Sequence, residues 1–460
     1  MEEIRILSPC GILGYGYPKS SFENGLKRNP HLIAVDAGST DAGPHKLGSG
    51  EGIVSKKAAK KDLLNMLMAG FERNIPIIIG SAGGSGAIPH VEWTMDIIKE
   101  IVSENDLSFN TAVISADIDK EFILRKMGEG KVKPLGPIPQ LTEEALMNTN
   151  RIVGQMGHEP VVKALEKGAQ LIVLGRAYDP AVFAAFPIWK GFDPGLAYHL
   201  GKILECGALC AEPGTTKDCI MGYLRDDHFL VEPLNNERKC LKTSVAAHTL
   251  YEKDHPYHLL GPGIELDLED CKFEQIKDDV VKVSGSKLTK AEHYTIKMEG
   301  SAKVAYRTIV IGGVRDPILI SHIEDIKRDV AKQVSVYFNE IPNDQYKILF
   351  HVYGRNGVMG NREPSDKTAH ELGIVMEVVA KDQELANTIC AAARSTLMHF
   401  PYKGRKATAG NIALLYSPSD IVFGPVYKFT VYHLVDVDDP CELFNIELFR
   451  LKRNEVRTND

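Results

Sequence analysis

Asp36 and Asp41 stand in one short loop, Asp36-Ala-Gly38-Ser39-Thr40-Asp41-Ala-Gly43-Pro44, directly after the apolar run Leu32–Val35. Two carboxyls beside two hydroxyls can pass protons to and from a substrate, while Ser39, Thr40 and the loop N–H groups can hold an anion. The same acids could hold a divalent cation such as Mg²⁺. The structural alternative is that Asp36 caps a turn and Asp41 faces water. A second loop, Gly80-Ser81-Ala-Gly83-Gly84-Ser85-Gly86, follows Ile77–Ile79 and precedes a helix. Small residues there let the backbone approach a carboxylate or phosphate at a helix N-terminus, or merely turn tightly. A third, Gly175-Arg176-Ala-Tyr-Asp179-Pro180, sets a guanidinium beside a carboxylate. Arg176 suits a bidentate grip on an anion, or a staple to Asp179 with Asp179 capping a helix.

Glu205 and Cys206 extend the set as an acid and a candidate thiol nucleophile. They lie on a stretch, Tyr198 to Glu212, that reads as a helix carrying His199, Cys206 and Cys210 along one stripe. Core packing is the stronger reading for Cys210, because cysteine is among the most buried residue types. In the second half, Arg315 and Glu363 sit in glycine-rich charged loops and are the residues expected to join the site at a domain interface.

The elements that must position these groups follow from hydrophobic period. Apolar or largely apolar runs, at 4–8, 32–35, 76–79, 112–115 and 171–174, alternate with amphipathic stretches such as Lys56–Arg73. That pattern predicts a parallel sheet covered on both faces, whose ligands gather beyond the carboxyl ends of the strands. From about 217 onward, half-apolar alternation predicts antiparallel strands mixed with helices. The expected fold is α/β, with an N-terminal doubly wound, mostly parallel sheet over 1–216, an incomplete (β/α) barrel being the alternative, and a C-terminal α+β domain over 217–460. Residues 452–460 read as a solvated tail.

Bulk composition narrows the partners. The 54 Lys and Arg against 61 Asp and Glu give a net charge of −7, without a basic block, which excludes nucleic acid as an expected partner. No apolar run reaches a membrane span, and the acidic start Met1-Glu2-Glu3 is unlike a signal peptide, so a cytoplasmic address is expected. The eight scattered cysteines, with no CxxC, suit thiols in a reducing compartment rather than a disulfide scaffold or a structural zinc site. Neither a GxGxxG nor a Walker A pattern occurs.

Taken in order, the Asp36–Pro44 loop, the Gly80–Gly86 loop, Gly175–Pro180, Leu204-Glu205-Cys206-Gly207 and Gly357-Val-Met-Gly360 resemble the acyclic terpene utilisation AtuA-like family over nearly the whole chain. The resemblance implies catabolism of branched or acyclic acids, often as coenzyme A thioesters, and a small companion domain in relatives. Its cofactor is not implied. The resulting expectation is a lyase or hydratase acting on a small branched hydroxy- or unsaturated acid or its thioester, functioning as a homo-oligomer. In it Asp36, Asp41 and Glu205 supply acid and base, and Arg176 and the Ser81–Gly86 amides hold the carboxylate. The rival is a non-catalytic subunit that binds an acyl ligand for an enzyme made elsewhere.

Overall fold

The computed structural model describes residues 2–453, and the side chain of Asp41 lies outside that description, as does the greater part of the expected tail. The chain divides into two compact units, Met1–Ala302 with Phe429–Asp460, and Lys303–Lys428. The division differs from the expected 216/217, because Ile220–Leu224 pairs antiparallel with the first strand and draws the following residues into the same sheet.

The first unit is built on seven short strands and their extensions: β1 (Ile4–Ser8), β2 (Leu32–Asp36), β3 (Ile77–Gly80), β4 (Ser108–Ile114), β5 (Val132–Pro134), β6 (Arg151–Gly154) and β7 (Leu171–Leu174). Five of them run parallel in the order β1-β2-β3-β7-β4. Antiparallel strands extend this block on both sides, Ile220–Leu224 beside β1 and Ile446–Lys452 beside β4. The sheet is therefore mixed, with a parallel centre, and the α/β class holds.

Alternate residues of the central strands feed two separate cores. Ile78, Ile172 and Leu174 face one layer of helices, and Ile77, Ile79 and Val173 face the other. Each such side chain contributes roughly 1.5–3 kcal/mol by burial, which is why these strands are apolar at every position. Helix Lys56–Arg73 covers the second face through Leu63, Met66 and Leu67; Ser55 caps its start and Asn74 closes it in the left-handed conformation. Helices Asp179–Trp189 and Pro194–Leu204 cover the first face and are buried almost throughout. The latter stops earlier than expected. Gly207 adopts φ +60° and packs against Gly11, so Cys206 and Cys210 leave the helix and share no stripe with His199.

The second unit is α+β. The later part of Thr295–Val314 pairs antiparallel with Leu372–Ala380, which pairs with Tyr346–Tyr353. Helices Ile323–Tyr337 and Gln383–His399 pack on one face of this sheet through Val330, Val334, Ile389 and Ala393. Among the described residues no helix is long and apolar enough to cross a membrane.

Candidate functional site

Asp36 closes β2, and its side chain is buried. The Gly38 N–H donates to Oδ2 at 3.3 Å, whereas Oδ1 has no partner among the described residues. A side chain at Gly80, on the neighbouring strand, would run into Val182 and Asp36. Burial, with Asp179 adding to it and Arg176 acting against it, holds the Asp36 carboxyl well above the usual carboxylate range.

Arg176 follows β7, and because β7 lies next to β3 its side chain reaches Ser81. Nη1 donates to Asp179 Oδ1 at 2.8 Å, to the Ala177 carbonyl at 2.7 Å and to Ser81 Oγ at 3.2 Å. Nε donates to Glu299 Oε2 at 2.9 Å. The other oxygen of Glu299 accepts from Thr40 Oγ1 and pairs with Lys297 Nζ, both at 2.7 Å. Burial opposes the charge on Glu299, yet Arg176 and Lys297 prevail and hold its carboxyl down to about 2. Arg176, Ser81 and Thr40 are thus brought together as expected, but through a buried carboxylate from a distant strand.

The Gly80–Ala87 loop is packed rather than open. Its Ala82, Gly84 and Gly86 amides donate to Leu174, Ser81 and Ala82 carbonyls at 2.9, 3.0 and 3.2 Å. Gly84 leaves room for Ile53 and Gly83 for His90, a side chain at Gly38 would strike the Gly84 backbone, and one at Gly86 would strike the Arg176 backbone. Those three amides are consumed inside the protein, so they do not form the anion cradle that the glycine spacing suggested. Ser81 has φ +44°, a strained conformation for serine, and aims its hydroxyl oxygen at the Arg176 guanidinium and the Ala177 N–H. Ser85 Oγ is buried and unpartnered among the described residues.

Two cavities meet in front of this framework. One, of about 350 Å³, is lined by Arg176, Lys202, Lys297, Tyr178 and Tyr432. The other, of about 430 Å³, is lined by Asp36, Ser39 and Cys206 together with the apolar Ile12, Ile53 and Tyr251. Asp179, Glu205 and Glu252 line both. Glu205 sits just past the end of helix Pro194–Leu204. Lys202 Nζ donates to its Oε1 at 2.6 Å, and its buried Oε2 is unpartnered among the described residues. Burial outweighs Lys202, and with Asp179 it pushes the Glu205 carboxyl up to about 8.

Cys206 lies beside this acid, and burial and Glu205 raise its thiol well above the ordinary value. Both effects work against the thiolate that nucleophilic attack requires. His199 is structural: its ring nitrogens meet Ser286 Oγ at 2.7 Å and Thr249 Oγ1 at 3.0 Å, and burial drives it down to about 3. Arg315 and Glu363 belong to the second unit. Arg315 donates to the His370 carbonyl at 2.9 Å, and Glu363 accepts from the Ser365 N–H at 3.0 Å. Among the described residues no cluster of three His, Cys, Asp or Glu side chains is placed to hold a metal ion.

Lys202, Glu252, Lys297 and Tyr432 are site residues that the motif reading missed. The Lys297 ammonium also lies 4.5 Å from the Tyr432 ring centroid. Two of them had a local sign: Lys297 alternates with Glu299 on one strand and so shares its face, and Lys202 stands one helical turn before Glu205.

A family model described as acyclic terpene utilisation family protein AtuA matches residues 56–414, as the ordered motifs suggested. No curated protein and no solved structure matches the chain.

Proposed function

Since the chain belongs to the acyclic terpene utilisation AtuA family, we propose that it is a catabolic lyase of the hydratase type. Its substrate is a small branched hydroxy- or unsaturated carboxylic acid, or the coenzyme A thioester of one. The observation that carries this reading is the pair Asp36 and Glu205. Both are buried carboxyls lining one cavity, both bind protons more tightly than usual, and each keeps one oxygen without a partner among the described residues.

A carboxyl pushed up to about 8 is, when ionised, a far better base than an ordinary glutamate, and a protonated buried aspartic acid is a ready donor. Glu205 takes the proton from the carbon next to the substrate carbonyl, and that electron pair becomes the carbon–carbon double bond. The carbon–oxygen bond on the neighbouring carbon breaks, and Asp36 gives its proton to the departing hydroxyl, which leaves as water. Hydration is the reverse.

Lys202, Lys297 and Arg176 face the first cavity and favour the anionic or carbonyl end there, where negative charge grows as the proton leaves. Ile12, Ile53 and Tyr251 favour the branched hydrocarbon in the second. Asp179, lining both, holds Arg176 in place at the junction. A divalent cation would supply the same charge stabilisation as the lysines, and the reading does not depend on one.

The test is product formation by the purified chain from hydroxy- and unsaturated acids and their thioesters, with and without Mg²⁺. Turnover that disappears in Asp36→Asn and in Glu205→Gln, with melting behaviour retained, supports the assignment. Ligand stabilisation without turnover until a second polypeptide is added supports the rival, a non-catalytic acyl-binding subunit. Light scattering of the same sample tests the proposed homo-oligomer.

A further inference from the structure

A cavity of about 530 Å³ lies wholly within the second unit and plays no part in the chemistry above. Three cationic side chains line it, Arg315, Arg405 and Lys406. Arg405 is held by its own loop: Nε donates to Asn411 Oδ1 at 2.8 Å and Nη2 to the Ala409 carbonyl at 3.2 Å. Asn411 is itself fixed at the end of helix Gln383–His399, donating through Nδ2 to the Leu397 and Phe400 carbonyls, both at 2.9 Å. The guanidinium is therefore set before any ligand arrives, with Nη1 free of an acceptor among the described residues. Of the two acids on the wall, Asp316 is engaged by the Ile318 and Leu319 N–H groups at 2.9 and 2.8 Å.

The floor of this cavity lacks side chains without a steric reason. Gly313 pairs across the sheet with Gly373 on one side and with Ala413 on the other. A Cβ built at Gly313 would meet only the Leu372 carbonyl oxygen, at 3.9 Å, and one built at Gly373 only Tyr353 Cβ, at 3.7 Å. By contrast, the adjacent Gly312 is glycine because Ile412 packs against it. Tyr353, the next residue along the row, is 50% exposed. A bare glycine floor in a cavity lined by three cations, with Tyr353 on the neighbouring strand just outside the lining, matches a planar group joined to a phosphate.

We propose that this cavity binds a phosphate-bearing nucleotide, with the phosphates on Arg405, Lys406 and Arg315 and the base lying over Gly313 and Gly373 toward Tyr353. The inference is independent of the reaction assigned to the first unit.

The test is titration calorimetry of the full chain with ADP, pyrophosphate and adenosine. ADP is expected to bind most tightly. The double variant Arg405→Gln, Lys406→Gln is expected to weaken ADP and pyrophosphate by about tenfold or more. Gly373→Val, a substitution the open strand position accepts, is expected to weaken ADP while leaving pyrophosphate unchanged. The proposal is overturned by absence of ADP binding at millimolar concentration, or by ADP affinity that the double variant does not alter. It is equally overturned if ADP binds no better than pyrophosphate and Gly373→Val has no effect, since the base would then make no contact with the floor.

Discussion

Lys202 Nζ lies 2.6 Å from Glu205 Oε1, one helical turn away, and the carboxyl it touches is nevertheless held up at about 8. An exposed lysine at that distance would pull a glutamate down. Here both partners are buried, and the loss of water around the carboxylate exceeds the attraction of a single ammonium. Burial thus raises the proton affinity of Glu205 even within this ion pair, while Glu205 in turn holds the Lys202 ammonium charged.

Stability should record this directly. The folded Glu205 value, about 8, lies above the ordinary 4.5, so the folded protein binds more protons than the unfolded chain between those limits. The contribution is complete below about pH 4.5 and is lost as pH rises through 8, with a slope approaching roughly 1 kcal/mol per pH unit at its steepest. Urea unfolding of wild type and Glu205→Gln across pH 5 to 9 should show that slope in wild type and its loss in the variant.

The same ionisation should govern rate. With Glu205 as base, kcat/KM should climb as pH rises toward about 8 and then level. Replacing Lys202 by methionine removes the only attraction opposing burial, so the rising limb should move to higher pH. A pH–rate profile that Lys202→Met leaves in place would falsify the role given to Glu205.

Asp36→Asn should reduce turnover by about 10²–10⁴-fold while the melting temperature changes little, because its Oδ1 bonds nothing among the described residues. Steady-state kinetics beside a thermal melt separates loss of a proton donor from loss of structure.

Glu299 is a different kind of acid. Its side chain is fully buried and satisfies Arg176, Lys297 and Thr40 together. Glu299→Ala should destabilise the protein by roughly 3–5 kcal/mol, since Arg176 is left buried with Asp179 as its remaining ion-pair partner. Chemical denaturation monitors this, and a loss below about 1 kcal/mol would show that the pair does not organise the site.

Two glycines isolate close packing from backbone conformation. Gly86 has φ +66° and lies against the Arg176 backbone, whereas Gly168 has φ +81° and open space around it. Gly168→Ala should cost about 1–2 kcal/mol for the left-handed conformation alone. Gly86→Ala should cost clearly more, because the backbone it strikes cannot move without displacing Arg176. Equal unfolding midpoints for the two variants would rule out that close approach.

The sequence by itself determined the class of fold and the family. Strands apolar at every position, such as Ile77–Ile79 and Leu171–Leu174, require burial on two faces, and helices such as Lys56–Arg73 show where the cover comes from. It also placed Asp36 and Arg176 just beyond strands, where ligands gather, whereas Glu205 read as the middle of a helix and only the structure set it at a helix end. What it left open was strand order, because local periodicity carries no information about which strand lies beside which. Only the tertiary structure set β7 between β3 and β4, which puts Arg176 on Ser81, and brought Glu299 from 123 residues away to complete the pair. Burial then raised the proton affinity of Asp36 and Glu205. That property belongs to the solvent each carboxyl loses, and no motif states it.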